Sequence, residues 1–126
     1  MKFLFTSPGF PFSGAVIHSG RVLETVITGI PRGGSHPVQG GVQAELREIF
    51  RQLDEVLAAA GAEKTRIAST CLYLQDVVRD IAAANEVYRE YFGSHPPNRR
   101  AYGVNLQAGM SIEAAFVVDL ETGEQG

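Results

Sequence analysis

Near the C-terminal end the chain reads PPNRRAYGV over residues 96–104: two prolines, two adjacent arginines, then a run that turns extended. A guanidinium clamps a carboxylate or phosphate through paired N–H donors, so Arg99 and Arg100 are candidates for anion chemistry; both also fit ordinary solvated surface charge. Glu113 follows in an alternating run, where a carboxylate can hold or polarise a water or pair structurally with a cation. In an extended segment Arg99, Ala101 and Gly103 share one side and Arg100, Tyr102 and Val104 the other. Small residues beside Arg99 leave space for a ligand, whereas Tyr102 and Val104 look like packing.

Other chemistries are poorly supplied. His18, His36 and His95 are scattered, without HExxH or paired-cysteine spacing, so no metal is expected. Ser69, Thr70 and Cys71 lie in a strand-like run with no nucleophile elbow. Cys71, the single cysteine, sits in the apolar STCLYL and reads as a small buried hydrophobe. A net charge of -3 and a pI near 5.6 give no general attraction to phosphate backbones, so nucleic acid is not an expected partner. No apolar run of 18 residues occurs, and Pro8 and Pro11 interrupt the N-terminus before a signal-peptide core can form. The expectation is a soluble, cytoplasmic protein without a membrane partner.

The elements that would position Arg99 and Glu113 follow from periodicity. With 126 residues, 44% of them hydrophobic, the chain fits one domain over 1–126. Thr6 to Gly14 reads as a loop. Ala15–His18 and Arg21–Ile27, separated by Ser19-Gly20, read as a hairpin, and the glycine-rich stretch after Pro31 reads as a surface loop. Apolar residues at three- and four-residue steps from Val42 to Ala60 predict a helix, with Gly61 at its C-cap. Arg66–Leu74 reads as a strand and Asp76 as an N-cap. A second helix is predicted over Val78–Phe92, ended by Gly93 and Pro96-Pro97. Arg99–Leu106 and Met110–Leu120 read as strands, the last with even positions toward a core and odd positions toward something less apolar.

This order predicts an α+β fold: a single mixed β-sheet with two helices packed on one face. The opposite face would carry Glu113, Ala115 and Val117, too apolar for open solvent, so it is expected to pack against copies of itself in a symmetric oligomer.

GAVIHSGRVLETVITGIP, the AAGA passage, TCLYLQD, NEVYREYF, Pro97-Asn98-Arg99 and SIEAAF together resemble the RidA/YjgF family, also called endoribonuclease L-PSP, from Pro11 onward. The resemblance implies a chorismate-mutase-like fold and a homotrimer with clefts between subunits. It implies hydrolysis of reactive 2-imino and 2-enamino acids, such as 2-aminoacrylate, to 2-keto acids and ammonia without a cofactor. In that chemistry the family's arginine falls on Arg99, gripping the substrate carboxylate, and its water-holding glutamate on Glu113. Arg99 and Glu113 are expected to share a sheet face, with a one-residue slip making Arg100 the anchor.

The resemblance also marks substrate-contacting positions, several of them changed. Phe12 stands where a tyrosine is usual, Thr28-Gly29 opens what is usually a Ser-Gly-Gln-Ile-Pro run, Arg100 replaces a small hydroxyl residue and Ala101 a cysteine. These changes keep open a trimeric module that binds a small carboxylate without turnover, and a pathway-specific deaminase or tautomerase for a larger conjugated enamine.

Overall fold

The computed structural model describes residues 1–121; residues 122–126, the end of the expected domain, lie outside the described residues. Its strands are β1 (Lys2–Thr6), β2 (Ser13–His18), β3 (Val22–Thr28), β4 (Ile67–Leu74), β5 (Asn98–Gly103) and β6 (Ile112–Asp119). The helices are α1 (Gly41–Ala60) and α2 (Val77–Phe92), with a short 3-10 turn at Lys64–Arg66. All six strands form one sheet in the order β1-β2-β3-β6-β4-β5. Only β4 and β5 run parallel, joined by the crossover through α2; the other neighbours are antiparallel. The mixed sheet and its two helices agree with the fold class expected from periodicity.

α1 buries Leu46, Ile49, Leu53 and Leu57 on one stripe, spaced three and four residues apart, against Leu23, Leu72, Ile112 and Phe116 of the sheet. Each such side chain contributes about 1.5–3 kcal/mol by leaving water. Gly61 closes α1 in the left-handed conformation at φ 68°, and its N–H reaches the carbonyls of Leu57 and Ala58. The Asp76 carboxylate caps α2 by accepting from the Arg79 N–H at 3.1 Å, as the sequence suggests.

Two departures from expectation are larger than the one- or two-residue shifts at the other element ends. β1 has no counterpart in the expected elements, because its residues form a strand only by pairing with β2 through Lys2↔Ile17 and Phe3↔Val16. β5 ends at Gly103 rather than at Leu106. Its partner β4 stops at Leu74, where Asp76 starts α2, and beyond Leu74↔Gly103 there is no strand left to pair with. The chain then leaves the sheet, with the Val104 N–H on the Leu74 carbonyl and the Leu106 N–H on Gln75 Oε1 at 2.6 Å.

In β6 the even positions Ile112, Ala114, Phe116 and Val118 are buried beneath the helices, while Glu113, Ala115, Val117 and Asp119 are half-buried on the other face. That open face also bears Val26, 55% exposed, and Tyr102, 49% exposed. Cys71 is buried as expected, yet its register with Ala115 puts it on this face rather than in the core beneath the helices.

Candidate functional site

Arg99 pairs in register with Thr70, whose other partner is the buried Phe116, so its side chain projects on the helix-covered side of the sheet. There its guanidinium donates to Asn85 Oδ1 at 2.7 Å and lies 4.8 Å from the centre of the Tyr88 ring. Asn85 and Tyr88 are three residues apart on α2 and therefore share a helix face. Tyr88 is fixed in turn by a 2.8 Å hydrogen bond between its hydroxyl and that of Thr70. Burial raises the Tyr88 phenol above its usual range, so it stays neutral beneath the cation.

Around this frame the end of α2 and the start of β5 enclose a cavity of about 380 Å³ lined by Asn85, Tyr88, Arg89, Phe92, Pro96 and Arg99 among others. The helix break at Gly93 and the two prolines create it, because the chain must leave the helix axis before β5 begins. Among the described residues no carboxylate lines it. Ala101 lies on the same side of β5 opposite Leu72, packed against the core. Gly103 is small for a packing reason, since a Cβ there would stand 2.9 Å from Val77 Cγ1.

Glu113 occupies the other face. It is flanked by Thr28 on β3 and Tyr73 on β4 and borders a cavity of about 410 Å³ whose walls include Tyr73, Asn105, Leu106, Gln107 and Met110. Its carboxylate has no hydrogen-bond or ion-pair partner among the described residues, and burial pushes its pKa above the usual carboxylate range. The expectation that Arg99 shares this face is corrected by the register. Arg100 pairs with Cys71, and Cys71 with Ala115, so Arg100 is the arginine on Glu113's side. Tyr102 is likewise on the open face, its ring 6.4 Å from that of Tyr73, rather than packed in the core.

The remaining expected contact residues are dispersed. Phe12 is 64% exposed and stacks on Phe10 at 5.2 Å between ring centres. Thr28 stands directly beside Glu113, and its hydroxyl accepts from the Ile30 N–H at 3.3 Å. Gly29 has a structural reason of its own: a Cβ there would lie 2.7 Å from Glu45 Cβ, so α1 can approach only glycine. Among the described residues no cluster of metal-ligating side chains occurs.

Several residues that organise these surroundings are not visible in periodicity. Asn85 is one; a polar side chain three positions before a buried tyrosine on the same helix face is the signal that points to it. Glu45 and Gln52 are buried on α1, where an amphipathic stripe predicts apolar residues. Glu45 Oε1 accepts from the Ser111 N–H at 2.8 Å, while Gln52 Nε2 donates to the carbonyls of Thr28 and Ile30. Together they tie the end of β3 and the approach to Glu113 onto α1.

The family model described as Endoribonuclease L-PSP matches residues 6–119. The chain is 34% identical over 108 residues to the human 2-iminobutanoate/2-iminopropanoate deaminase, covering 85% of this chain and 78% of that protein. Among solved structures, that of Escherichia coli TdcF with bound serine superposes with a TM-score of 0.82 at 24% identity, covering 96% of this chain and all of that one. RidA from an Antarctic Psychrobacter gives 0.80 at 22% identity over 90% of this chain and 91% of that one.

Proposed function

The chain belongs to the endoribonuclease L-PSP family, and on that premise we propose that it hydrolyses reactive 2-imino and 2-enamino acids of the 2-aminoacrylate type to 2-keto acids and ammonia, with Arg99 gripping the substrate carboxylate. The observation that carries the reading is a guanidinium that, among the described residues, has no acidic partner and is held by Asn85 and Tyr88 in a cavity that no carboxylate of its own chain lines. A guanidinium has five N–H donors, and the bond to Asn85 leaves a free fork for a carboxylate. Because the side chain is already oriented, less entropy is lost when substrate docks.

With the carboxylate fixed, the neighbouring C=N carbon, which an enamine gains when its C3 takes up a proton from solvent, is held for attack by water. Addition gives a carbinolamine, whose collapse expels ammonia and leaves the keto acid, with no change of oxidation state and no cofactor. Glu113 takes a proton from the water and returns it to the leaving nitrogen. Its raised pKa brings that exchange closer to neutral pH.

Arg99 and Glu113 stand on opposite faces of one sheet, so they serve a single substrate only if Glu113 of the partner subunit reaches the Arg99 cavity. The reading therefore includes a chorismate-mutase-like homotrimer packed through the open face, which the exposed Val26 and Tyr102 and the half-buried Ala115 and Val117 support. Thr28 and Gly29 would flank the glutamate, Ala101 the arginine, and Phe12 would pack on the substrate.

A second reading puts the anchor at Arg100, favoured by its place on the Glu113 face of the same chain. One experiment separates the two. 2-Aminoacrylate is generated by an amino-acid dehydratase, and keto-acid release is followed with wild type, Arg99→Ala and Arg100→Ala. Loss of acceleration in Arg99→Ala alone supports the first reading, and loss in Arg100→Ala alone supports the second. Wild type no faster than buffer refutes the activity; saturable binding of 2-oxobutanoate without turnover would then identify a binding module.

A further inference from the structure

The arginines of this chain divide into two groups. Arg21, Arg32, Arg47, Arg51, Arg66 and Arg79 each form an ion pair with an aspartate or glutamate. Among the described residues Arg89, Arg99 and Arg100 have no acidic partner, and Arg89 and Arg99 line the same cavity. The acids nearest Arg89 in sequence are engaged elsewhere: Glu86 accepts from Gln43 at 2.7 Å, and Glu90 pairs with Arg47 at 3.4 Å. Glu86 sits three residues before Arg89, at the spacing where a helical ion pair would form, yet it is turned toward α1. Two like charges thus border one cavity that, among the described residues, is lined by no carboxylate of their own chain, an arrangement suited to a ligand carrying two negative groups.

Building on the reading of Arg99 as carboxylate anchor, we propose that Arg89 is a second anion contact and that the cavity takes 2-imino dicarboxylic acids. Arg99 holds the carboxylate next to the imine carbon, and Arg89 holds the distal one. Tyr88, Phe92 and Pro96 supply apolar wall for the intervening methylenes. Water adds to the C=N carbon and ammonia leaves, so the product is a 2-keto dicarboxylic acid and no redox partner is needed. Such imines arise when an oxidase or dehydrogenase removes hydride from an acidic amino acid, and that class of reaction would supply the substrate.

Arg89 is exposed on α2, so its substitution leaves the fold intact. Calorimetric titration compares 2-oxoglutarate with 2-oxobutanoate on wild type, Arg89→Gln and Arg99→Ala. The expected result is binding of 2-oxoglutarate about tenfold tighter in wild type, an advantage lost in Arg89→Gln, and weakening of both acids in Arg99→Ala. In parallel, 2-iminoglutarate and 2-iminobutanoate are generated by amino-acid oxidation and their decay is timed. Arg89→Gln is expected to lower kcat/KM for 2-iminoglutarate about tenfold more than for 2-iminobutanoate, the value of one charge-assisted contact. Equal binding of the two acids by wild type, or an unchanged ratio in Arg89→Gln, overturns the proposal. Turnover of 2-iminobutanoate without 2-iminoglutarate overturns it while leaving the deaminase reading standing. Failure with both imines overturns the deaminase reading and the substrate assignment together, and the titration still decides whether the two-anion site exists.

Discussion

Arg99 and Asn85 are joined by a 2.7 Å hydrogen bond that links β5 to the middle of α2, and among the described residues no acid competes for the same guanidinium. Asn85→Ala removes the acceptor that orients the arginine without removing its charge. The expected effect is a rise in KM of about three- to tenfold with kcat changed much less, matching the loss of about 1 kcal/mol of preorganising hydrogen bond. Asn85→Asp places an anion against Arg99 and is expected to weaken carboxylate binding further. Steady-state kinetics of the two variants beside wild type check the order.

Tyr88 contributes its ring to Arg99 and its hydroxyl to Thr70, and the two roles separate in Tyr88→Phe. That variant keeps the ring beneath the guanidinium and leaves the buried Thr70 hydroxyl unpaired. Stability is expected to fall by about 1–2 kcal/mol while affinity for 2-oxobutanoate changes less than about threefold. Chemical denaturation and titration on the same preparation read both. A large loss of affinity would show that the hydroxyl, not the ring, supports the anchor.

Glu113 is half-buried with its folded pKa raised by desolvation, so the folded state holds its proton more tightly than the unfolded state does. Stability is therefore expected to decline as pH rises from the ordinary glutamate value through the raised one, by less than about 1 kcal/mol because the group is partly solvated. Glu113→Gln should remove this slope. Activity runs the other way, rising as Glu113 ionises, and that limb of the rate profile should vanish in Glu113→Gln. Denaturation midpoints and kcat/KM measured between pH 4 and pH 8 test both signs.

Gly29→Ala forces a methyl group at the exit of β3 to within 2.7 Å of Glu45 Cβ and 2.9 Å of Glu45 Cα on α1. The expected cost is about 1–3 kcal/mol, in the range for overpacking a close helix–sheet contact. A thermal unfolding scan reads it. An unchanged midpoint would show that α1 moves away from the end of β3 without cost.

Most of the secondary structure was legible because it depends on neighbours in the chain. The stripe from Val42 to Leu57, the left-handed Gly61 and the Asp76 cap all follow from residues within a few positions of each other. The alternation of β6 likewise separates Ile112 from Glu113 by local geometry alone. β1 was not legible, because Lys2–Thr6 is a strand only where β2 offers an edge. Nor were Glu45 and Gln52, whose burial is tolerated only because backbone groups of Ser111, Thr28 and Ile30 meet them.

The candidate site shows where local information ends. Strand alternation, legible in the chain alone, sends Arg99 and Arg100 to opposite sides of their strand and Glu113 away from the core. Which arginine shares a face with Glu113 depends on how distant strands pair. Two registers must be known together, Arg100 against Cys71 in the parallel pair and Cys71 against Ala115 in the antiparallel one. Slipping either strand by one residue exchanges the arginines. Those registers are set by burying Leu72, Ala114 and Phe116 beneath helices distant in the chain.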